Sequence, residues 1–582
     1  MEPTLWRHVP RHLITSALPY INGVKHLGNL VGSMLPADVY ARYLRAAGAE
    51  VLFVCATDEH GTPAELAALE AGQDVASYCA EQHEVQRGLS ERFGLSFDWF
   101  GRTSRSQNHV LTNHFARRLR DEGFCEIRST EQVYSVADGR FLPDRYVVGT
   151  CPNCGYERAR GDQCENCGKQ LDPTDLIDPR SAVSGSTELE VRSSNHVFLL
   201  QSMLAERIRD WVDTKDDWPQ LTRSIAYKWL DEGLEDRGIT RDLDWGIPVD
   251  PDDFPEAAGK VWYVWFDAPI GYLAATREWA DAGAGGREPD ADFDRWWRTD
   301  RGAEDVTYTQ FMGKDNVPFH TLSFPATILG SGEPWKLVDR LKSFNWLTYY
   351  GGKFSTSEHR GVFMSDALDL LPADCWRWYL MANAPESDDA SFTWELFGAA
   401  VNKDLVGTFG NLVNRTMTQV SRHFDDRVPD GGEPEQLEHD LAERVASRLD
   451  EHLGHLDALE FRKAAAALRA LWAEGNAYLE QREPWKSVKV DRDRTACTLR
   501  TALDLVALCS IVSAPWVPDA AGRLQSAFPT LDHARRLDRT LLDGPLLEVG
   551  SPVAPPGLLF GKLAPEQLDE WRVRFGGSEV AA

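Results

Sequence analysis

Apolar residues near the amino terminus change their spacing twice within a short distance. The β-branched run HLITSA (12–17) predicts a strand. From His26 to Ala47 apolar side chains recur at helical spacing, although Pro36 lies inside this segment and predicts a kink or an interruption. The run EVLFVCATDEHG (50–61) is typical of a buried strand that enters a polar loop. Strand, helix and strand in this order predict a βαβ unit of a parallel sheet.

The same alternation returns later in the chain, after an interruption. Residues 122–262 contain a cysteine cluster, short strand-like runs and many Gly, Pro and Asp residues. Strand-then-helix patterns resume in 260–275 and again in 306–330, so we expect the parallel sheet to continue there. From about residue 366 the pattern is almost entirely helical, and 425–440 is predicted to be a loop within that region. We therefore predict an α/β fold with an insertion, followed by an all-α region.

Composition and charge limit the class of protein. The chain has 582 residues, of which 43% are hydrophobic and 26% charged, as is typical of globular proteins with several domains. Its net charge of -28 argues against indiscriminate nucleic-acid binding, without excluding a specific nucleic-acid partner. The amino terminus lacks the apolar core of a signal peptide, and the longest apolar region, near LVALCSIVSAPWV, looks too short to span a bilayer. We expect a cytoplasmic protein with no membrane partner.

Four of the ten cysteines form the pattern of a metal site. Cys151 and Cys154 form one CxxC pair, and Cys164 and Cys167 form the second. Two thiolate pairs at this spacing predict a tetrahedral Zn²⁺ site, and because four thiolates leave no open position, the metal is expected to be structural. The alternatives are redox-active or accidental CxxC pairs. The other six cysteines are scattered through apolar sequence, and we assign them no function.

Two segments have the chemistry of phosphate binding. HLGN (26–29) opens the first predicted helix, and a helix N-terminus presents free N–H groups and a partial positive charge. There His26 can donate to a developing negative charge, or simply cap the helix, while Gly28 lets a ligand approach the backbone. The run GGKFSTSEHRGVF (351–363) is typical of a mobile loop that handles an anion. Both follow strands of one α/β region and together indicate ATP, although no GxxxxGK[ST] or GxGxxG motif is present.

These motifs resemble those of the methionyl-tRNA synthetases, a family of class I aminoacyl-tRNA synthetases. HLGN is similar to the HIGH signature of the class, with Asn29 at the last position, and KFSTS (353–357) is similar to its KMSKS loop. ALPYINGVKHLGN, CATDEHGT, VWFDAPIGY, FMGKDNVPFH and the cysteine cluster also fall in the order and spacing of the family. The resemblance extends over nearly the whole chain.

The resemblance implies a class I synthetase fold. A Rossmann-type parallel-sheet catalytic domain would carry an inserted zinc-knuckle connective domain and would precede an all-α anticodon-binding helical bundle. The implied domains are the first half of the catalytic domain in 1–121, the connective insertion in 122–262, the second half of the catalytic domain in 263–343, the KMSKS-type loop and stem-contact region in 344–407, the anticodon-binding domain in 408–560 and a C-terminal tail in 561–582.

The resemblance further implies a methionine–tRNA ligase that forms AMP and pyrophosphate. Such an enzyme activates L-methionine with ATP to methionyl-adenylate and releases pyrophosphate, with Mg²⁺ expected on the ATP. It then transfers the methionyl group to the 3′ end of methionine tRNA, which has the anticodon CAU. No side chain need act as nucleophile, because the methionine carboxylate attacks the α-phosphate. We expect a monomer, because the chain shows no appended C-terminal tRNA-binding or dimerisation domain of the kind that some family members carry.

The family pattern assigns residues to each of these steps. The implied methionine pocket is apolar, with one carboxylate for the ammonium group, and comprises Ala17, Leu18, Tyr20, Asp58, Trp265, Ala268, Pro269, Tyr272 and His320. The implied ATP-binding residues are His26, Gly28, Asn29, Gly313, Asp315, Lys353 and Thr356. The implied catalytic residues are His26, Asn29, Lys353, Thr356 and Arg360. The implied anticodon readers are Asn411, Arg415 and Trp485, and local readers of this kind would let an acidic protein bind RNA selectively.

The loop departs from the family pattern at one position. KMSKS usually has a second lysine where this chain has Thr356, and that lysine helps to stabilise the charge of the leaving pyrophosphate. Loss of one such contact without replacement costs about 2–4 kcal/mol of barrier. We favour compensation by Arg360 or His359. The alternative is a catalytically impaired or specialised paralogue that acts as an RNA-binding or regulatory protein.

A class I enzyme for a different amino acid is the remaining alternative. The enzymes for leucine, isoleucine and valine need a large editing domain to reject near-isosteres, and the insertion 122–262 looks too small for one. A cysteine enzyme is expected to bind zinc in its amino-acid pocket, where ALPY offers no thiol. Methionine is therefore the expected substrate.

Overall fold

The computed structural model describes residues 9–162, 164, 166–167, 169, 171–355 and 360–577. The strands, in chain order, are β1 (Arg11–Ser16), β2 (Glu50–Thr57), β3 (Trp99–Arg102), β4 (Cys125–Ser135), β5 (Arg140–Phe141), β6 (Val147–Thr150), β7 (Ala159–Arg160), β8 (Ile177–Ser181), β9 (Leu189–Leu199), β10 (Arg237–Gly238), β11 (Thr240–Arg241), β12 (Val261–Trp262), β13 (Val306–Gly313), β14 (Arg340–Phe344), β15 (Leu347–Tyr349) and β16 (Ala390–Phe392).

The α-helices, in chain order, are α1 (Leu27–Asn29), α2 (Leu35–Ala46), α3 (Thr62–Glu70), α4 (Val75–Arg92), α5 (Ser106–Asp121), α6 (Ala205–Asp213), α7 (Gln220–Glu232), α8 (Val264–Asp281), α9 (Pro289–Trp297), α10 (Phe324–Gly330), α11 (Met364–Leu370), α12 (Ala373–Ala382), α13 (Trp394–Ala400), α14 (Asn411–His423), α15 (Gln436–Asp457), α16 (Phe461–Arg482), α17 (Pro484–Ser487), α18 (Arg492–Val512), α19 (Pro518–Gln525) and α20 (Pro565–Arg574).

A five-stranded parallel sheet organises the first part of the chain. Its strand order is β14-β13-β1-β2-β3, so the first strand lies in the middle, between β13 and β2. Leu13 and Ile14 on β1 and Phe53 and Val54 on β2 are fully buried, since both faces of a parallel sheet are covered. The carboxyl ends of the five strands meet at one edge, which is where such sheets bind ligands.

The helix that follows β1 has an irregular second turn. Leu27–Asn29 is α-helical, Leu30–Met34 is a π-helical turn, and α2 continues from Leu35. Pro36 has no N–H to donate and its ring crowds the preceding turn, and a wider turn before it relieves that conflict. The predicted interruption at Pro36 thus takes the form of a π-helical turn.

The insertion between β3 and β13 contains three small antiparallel sheets. One is the pair β11-β12, so the strand expected in 260–275 is not part of the parallel sheet. Strands β4 and β9 pair along their whole length, from Cys125 opposite Leu199 to Ser135 opposite Leu189, in a sheet of order β10-β9-β4-β5. A third sheet of order β7-β6-β8 holds the first CxxC pair at the end of β6. The predicted insertion with a cysteine knuckle is confirmed, and its four cysteines lie together.

The last part of the chain is a helical bundle. α15 packs along α16, and α16 packs on α18, whose residues from Thr495 to Val512 are mostly buried. In the described part of the chain, only α18 is long and apolar enough to cross a membrane by length and composition, and 83% of its apolar window is buried inside the protein. The expectation that this apolar region is too short to span a bilayer is therefore wrong on length, because α18 has 21 residues. Its burial is that of a core helix.

Candidate functional site

His26 caps the helix that starts at the carboxyl end of β1. Its Nδ1 accepts a hydrogen bond from the backbone N–H of Asn29 at 3.3 Å, and the Asn29 side-chain oxygen accepts from the backbone N–H of His26 at 3.2 Å. Burial, helped by the nearby Lys25 ammonium, lowers the pKa of His26 to about 4, so the ring is neutral at pH 7. Since Nδ1 is the acceptor, the ring proton is on Nε2, which is available as a donor.

The loop that begins at Gly351 folds back onto this helix start. The ring of Phe354 stacks on the His26 ring with centroids 4.5 Å apart, and Phe363 contacts the same ring edge-on at 6.2 Å. The backbone N–H of Leu27 donates to the Val362 carbonyl at 3.2 Å. The two segments expected to handle phosphate are therefore in direct contact.

Gly361 is required by this arrangement. Its φ is +101°, and a Cβ at this position would lie 2.2 Å from a ring carbon of Phe354. A residue with a side chain would therefore push Phe354 off His26. The glycine lets the loop close tightly over the ring that covers His26.

Lys353 and Arg360 occupy different positions in the loop. Lys353 is exposed, whereas Arg360 is half-buried and its Nη2 donates to the Tyr349 carbonyl at 3.1 Å. Thr356 and His359 lie outside the described residues. The guanidinium of Arg360 therefore rests against the base of the loop in this conformation, and compensation for Thr356 by Arg360 or His359 stays a prediction.

The other expected ATP residues line the same edge of the sheet. A Cβ on Gly28 would lie 3.3 Å from the Leu347 carbonyl oxygen and 3.0 Å from the His26 ring, so a side chain there would crowd the ring. Gly313 ends β13, and Asp315 follows in an exposed turn. Lys314, between them, is bound to Asp389 at 2.7 Å. β13 neighbours β1, which places these residues beside the start of the helix.

Asp58 is a buried carboxyl group at the carboxyl end of β2. It is 4% exposed, and its backbone pairs with the loop after β1, where the N–H of Ile21 donates to the Asp58 carbonyl at 2.9 Å. Its Oδ1 has no hydrogen-bond partner in the part of the chain that the structure describes. Burial, and then the charges of Asp267 and Glu59, raise the pKa of Asp58 well above its usual value. A buried carboxyl group with an unused oxygen is suited to a cationic ligand.

Two aromatic pairs belong to the expected methionine pocket. The Tyr272 hydroxyl and His320 Nε2 lie 2.8 Å apart, and His320 Nδ1 donates to the Asn316 carbonyl at 2.9 Å. Burial lowers the pKa of His320 to about 4, so it is neutral and its Nε2 accepts from Tyr272. The indole N–H of Trp265 donates to the Tyr20 hydroxyl at 3.0 Å. Both pairs join α8 to elements at the carboxyl edge of the sheet.

The remaining expected pocket residues lie directly after β1 or in the first part of α8. The N–H of Ala17 donates to the Phe311 carbonyl at 2.8 Å, and Leu18 packs against Gly271 of α8. Ala268 and Pro269 lie in the first two turns of α8. The structure therefore brings the end of β1 and the start of α8 together.

Sequence reasoning missed two polar pairs formed by the residues that follow Asp58. His60 Nδ1 lies 2.5 Å from Asp267 Oδ2, and both side chains are buried. Glu59 forms a two-point ion pair with Arg102, at 2.8 and 2.9 Å. The available signals were three consecutive ionisable residues after β2 and one aspartate in the otherwise apolar start of α8. Their pairing depends on contacts between distant parts of the chain.

The four cysteines form a compact cluster. All their sulfur atoms lie within 4.8 Å of one another, with Cys154 and Cys164 3.6 Å apart and Cys151 and Cys167 3.9 Å apart. Tetrahedral Zn²⁺ with Zn–S bonds near 2.3 Å would place the sulfur atoms about 3.8 Å apart. The donor set and its spacing therefore fit a metal ion with four thiolate ligands.

Two of the three expected anticodon readers, Arg415 and Trp485, line one groove of the bundle, and Asn411 is not among the residues that line it. The Arg415 guanidinium lies 4.8 Å from the centroid of the Trp485 ring and is paired with Glu480 at 2.8 Å. Asn411, one turn earlier on α14, donates to the side-chain oxygen of Asn476 at 2.8 Å. Further residues that line this groove were missed by sequence reasoning and are Asn414, Thr418, Gln419, Leu479 and Pro484.

Comparison with known proteins gives consistent matches along the chain. The family model of class I tRNA synthetases (M) matches residues 12–417, and that of the anticodon binding domain of methionyl tRNA ligase matches residues 428–580. The chain is 59% identical to a methionine–tRNA ligase of Caulobacter vibrioides over 579 residues, which is 98% of this chain and 100% of that protein. It is 57% identical to a methionine–tRNA ligase of Streptomyces avermitilis over 581 residues, 98% of this chain and 99% of that protein. The structure of Mycobacterium tuberculosis methionyl-tRNA synthetase in complex with methionyl-adenylate is similar with a TM-score of 0.76 at 25% identity, covering 95% of this chain and 100% of that chain.

Proposed function

This chain belongs to the methionyl-tRNA synthetase family of class I, and we propose that it joins methionine to its tRNA in two steps. ATP and L-methionine form methionyl-adenylate and pyrophosphate, and the methionyl group then passes to the 3′ end of methionine tRNA with release of AMP. The single observation that carries the proposal is the buried, unpartnered Oδ1 of Asp58, at the same sheet edge as the neutral, helix-capping His26. The comparisons give no support to an impaired or regulatory paralogue, and Thr356 is the one departure that would favour it.

One carboxylate and several aromatic side chains hold methionine. The ammonium group pairs with Asp58, whose free oxygen gains the partner that it lacks. Trp265, Tyr272 and His320 supply ring surfaces, and such surfaces suit the polarisable thioether of methionine. The hydrogen bond from His320 Nδ1 to the Asn316 carbonyl fixes the tautomer of the ring, so Nε2 carries no proton. The ring therefore offers no free N–H donor to a charged side chain of a bound amino acid.

ATP is held at the start of α1 and by the loop at 351–363. His26 donates from Nε2 to a phosphate oxygen, and Asn29 keeps the ring oriented by completing the helix cap. Lys353 adds positive charge where pyrophosphate leaves. Mg²⁺ bound to the ATP would neutralise further phosphate charge. These groups stabilise an in-line displacement in which the methionine carboxylate attacks the α-phosphate and pyrophosphate departs.

The cysteine cluster is proposed to hold one structural Zn²⁺. Replacement of Cys167 by Ser is expected to remove the metal and to loosen the sheet β7-β6-β8, because three thiolates no longer close the tetrahedron. Metal analysis should show one zinc per wild-type chain and none in the variant, and hydrogen exchange should rise in 147–181. Cys125→Ser, outside the cluster, is the matched control and should keep the zinc. Full zinc retention in Cys167→Ser would contradict this assignment.

The Arg415–Trp485 groove is proposed to read the anticodon CAU. Trp485→Ala is expected to raise KM for methionine tRNA by about 10- to 100-fold, because stacking of a base on an aromatic ring contributes about 1–3 kcal/mol. Methionine-dependent ATP–pyrophosphate exchange should stay unchanged, since α17 belongs to the bundle. Trp485→Phe keeps a ring and should recover most of the affinity. Equal losses of exchange and tRNA charging would show instead that Trp485 supports the fold.

A further inference from the structure

We propose that Asp389 is a positioning residue for the activation of methionine. By holding Lys314 in an ion pair, it fixes the turn Lys314–Asn316, which carries groups assigned to both the ATP and the methionine subsites. Asp389 lies 75 residues after Lys314 in the chain, in the segment between α12 and β16. The inference rests on the proposed function, because it takes ATP and methionine as the ligands.

Asp389 meets Lys314 at the ligand-binding edge of the parallel sheet. Gly313 is the register partner of Phe344, so β13 and β14 end side by side and the chain leaves the sheet at Lys314 and Asn345 together. Lys314 Nζ lies 2.7 Å from the Asp389 carboxylate and 3.4 Å from the side-chain oxygen of Asn345. The ammonium group is therefore held at the carboxyl ends of two adjacent strands, where such sheets bind ligands.

Backbone hydrogen bonds fix the carboxylate of Asp389. The oxygen that pairs with Lys314, Oδ1, also accepts from the backbone N–H of Trp346 at 2.9 Å, and the N–H of Ala390 donates to the Trp346 carbonyl at 2.9 Å. The ring of Trp346 covers the ammonium group, since Lys314 Nζ lies 4.4 Å from the ring centroid. An isolated ion pair at a surface contributes little, whereas this one has a backbone anchor and an aromatic cover that restrict both partners.

The turn Lys314–Asn316 connects this ion pair to both substrates. The Asn316 carbonyl accepts from His320 Nδ1 at 2.9 Å, and this bond sets the tautomer of the His320 ring in the expected methionine pocket. The carboxylate of Asp315, expected at the ATP, bends back over Gly313, since a Cβ on that glycine would lie 2.6 Å from Asp315 Oδ1. Both groups therefore depend on where the ion pair holds the turn.

Asp389→Asn keeps the shape of the side chain and an oxygen for the Trp346 N–H, and removes only the charge that holds Lys314. In ATP–pyrophosphate exchange, KM for ATP and KM for methionine should each rise about three- to tenfold, and kcat should change less than either, because the groups that position both substrates shift together. The thermal midpoint should stay close to that of wild type, since both members of the pair are partly exposed. Asp388→Asn removes the same charge from the adjacent exposed residue and, as the matched control, should change neither KM.

Lys314→Met tests the ion pair from its other side, even if Asp389→Asn folds poorly. Methionine keeps an unbranched side chain of similar length and removes the ammonium group. Each single variant should raise both KM values by a similar factor, and the double variant should be no worse than either, because one interaction is lost in all three. Effects that multiply in the double variant, or a rise in KM for ATP alone in Lys314→Met, would overturn the proposal, the latter in favour of direct contact between Lys314 and ATP.

Binding of methionine without ATP gives a readout that does not depend on catalysis. Calorimetry should show that Asp389→Asn binds methionine about three- to tenfold more weakly than wild type, because the loosened turn no longer holds His320 in place. Hydrogen exchange should rise in 314–320 of the same variant. Wild-type affinity for methionine in Asp389→Asn would overturn the proposal. A wild-type protein that shows no methionine-dependent exchange would instead contradict the proposed function, so the two failures are distinguishable.

Discussion

Replacement of His26 by Ala is expected to lower the rate of methionine-dependent ATP–pyrophosphate exchange by about 10²–10³-fold, as loss of one preorganised donor to a developing anion does. The ring proton is on Nε2, because Nδ1 accepts from the backbone of Asn29. Since the pKa of His26 is held near 4 by burial and by Lys25, the donor is a neutral imidazole over the working pH range. The rate should therefore show no ionisation of His26 between pH 6 and 9.

His26→Asn separates the chemistry from the helix cap. Asparagine is among the preferred N-cap residues, whereas alanine at an N-cap costs about 0.5–2 kcal/mol of stability. The Asn variant should keep the thermal midpoint of the wild type and still lose exchange activity, while the Ala variant loses both. Exchange at the wild-type rate in His26→Asn would reduce His26 to a structural cap and contradict its assigned role.

Replacement of Asp58 by Asn is expected to raise KM for methionine by about 10²–10³-fold with KM for ATP unchanged. Removing one partner of a buried ion pair leaves the other charge uncompensated and costs about 3–5 kcal/mol. Here the uncompensated charge is the methionine ammonium, which would be buried against a neutral amide.

The fold should tolerate this change. The folded-state pKa of Asp58 is raised above its unfolded value, so ionisation of the free carboxyl group opposes folding, and stability falls as pH rises through the folded pKa. An amide removes that penalty, and the thermal midpoint of Asp58→Asn should equal or exceed that of the wild type near neutral pH. A lower midpoint together with unchanged KM for methionine would show that Asp58 is a structural residue.

The pH dependence of binding has a definite sign. In the proposed site the methionine ammonium pairs with the ionised carboxylate of Asp58. Affinity for methionine should therefore fall as pH decreases through the raised pKa of Asp58, and binding below that pKa should release a proton. Calorimetry in two buffers of different ionisation enthalpy measures this release. Wild type should show it and Asp58→Asn should not.

The sequence was sufficient for features that depend on local pattern. The alternation of β1, helix and β2 follows from apolar spacing, the π-helical turn lies where Pro36 interrupts the pattern, and the four cysteines come together as their spacing predicts. The sequence pattern also predicted that HLGN and the loop at 351–363 follow strand ends. In the structure the two segments are in contact through Phe354 and His26.

Features that depend on tertiary contacts could not be predicted from the sequence. The pairing of His60 with Asp267 joins a loop to a distant helix, and that of Glu59 with Arg102 joins the same loop to β3. The guanidinium of Arg360 donates to the Tyr349 carbonyl, and the charge of Arg360 alone did not predict this contact. The domain boundaries, the cytoplasmic location and the monomeric state stay predictions.

Amino-acid-dependent ATP–pyrophosphate exchange by the wild-type protein tests the central claim most directly. We predict exchange with methionine and only background exchange with leucine, isoleucine, valine or cysteine, followed by charging of methionine tRNA. Exchange driven by one of the other amino acids, or no exchange by a protein that still binds tRNA, would contradict the proposed function.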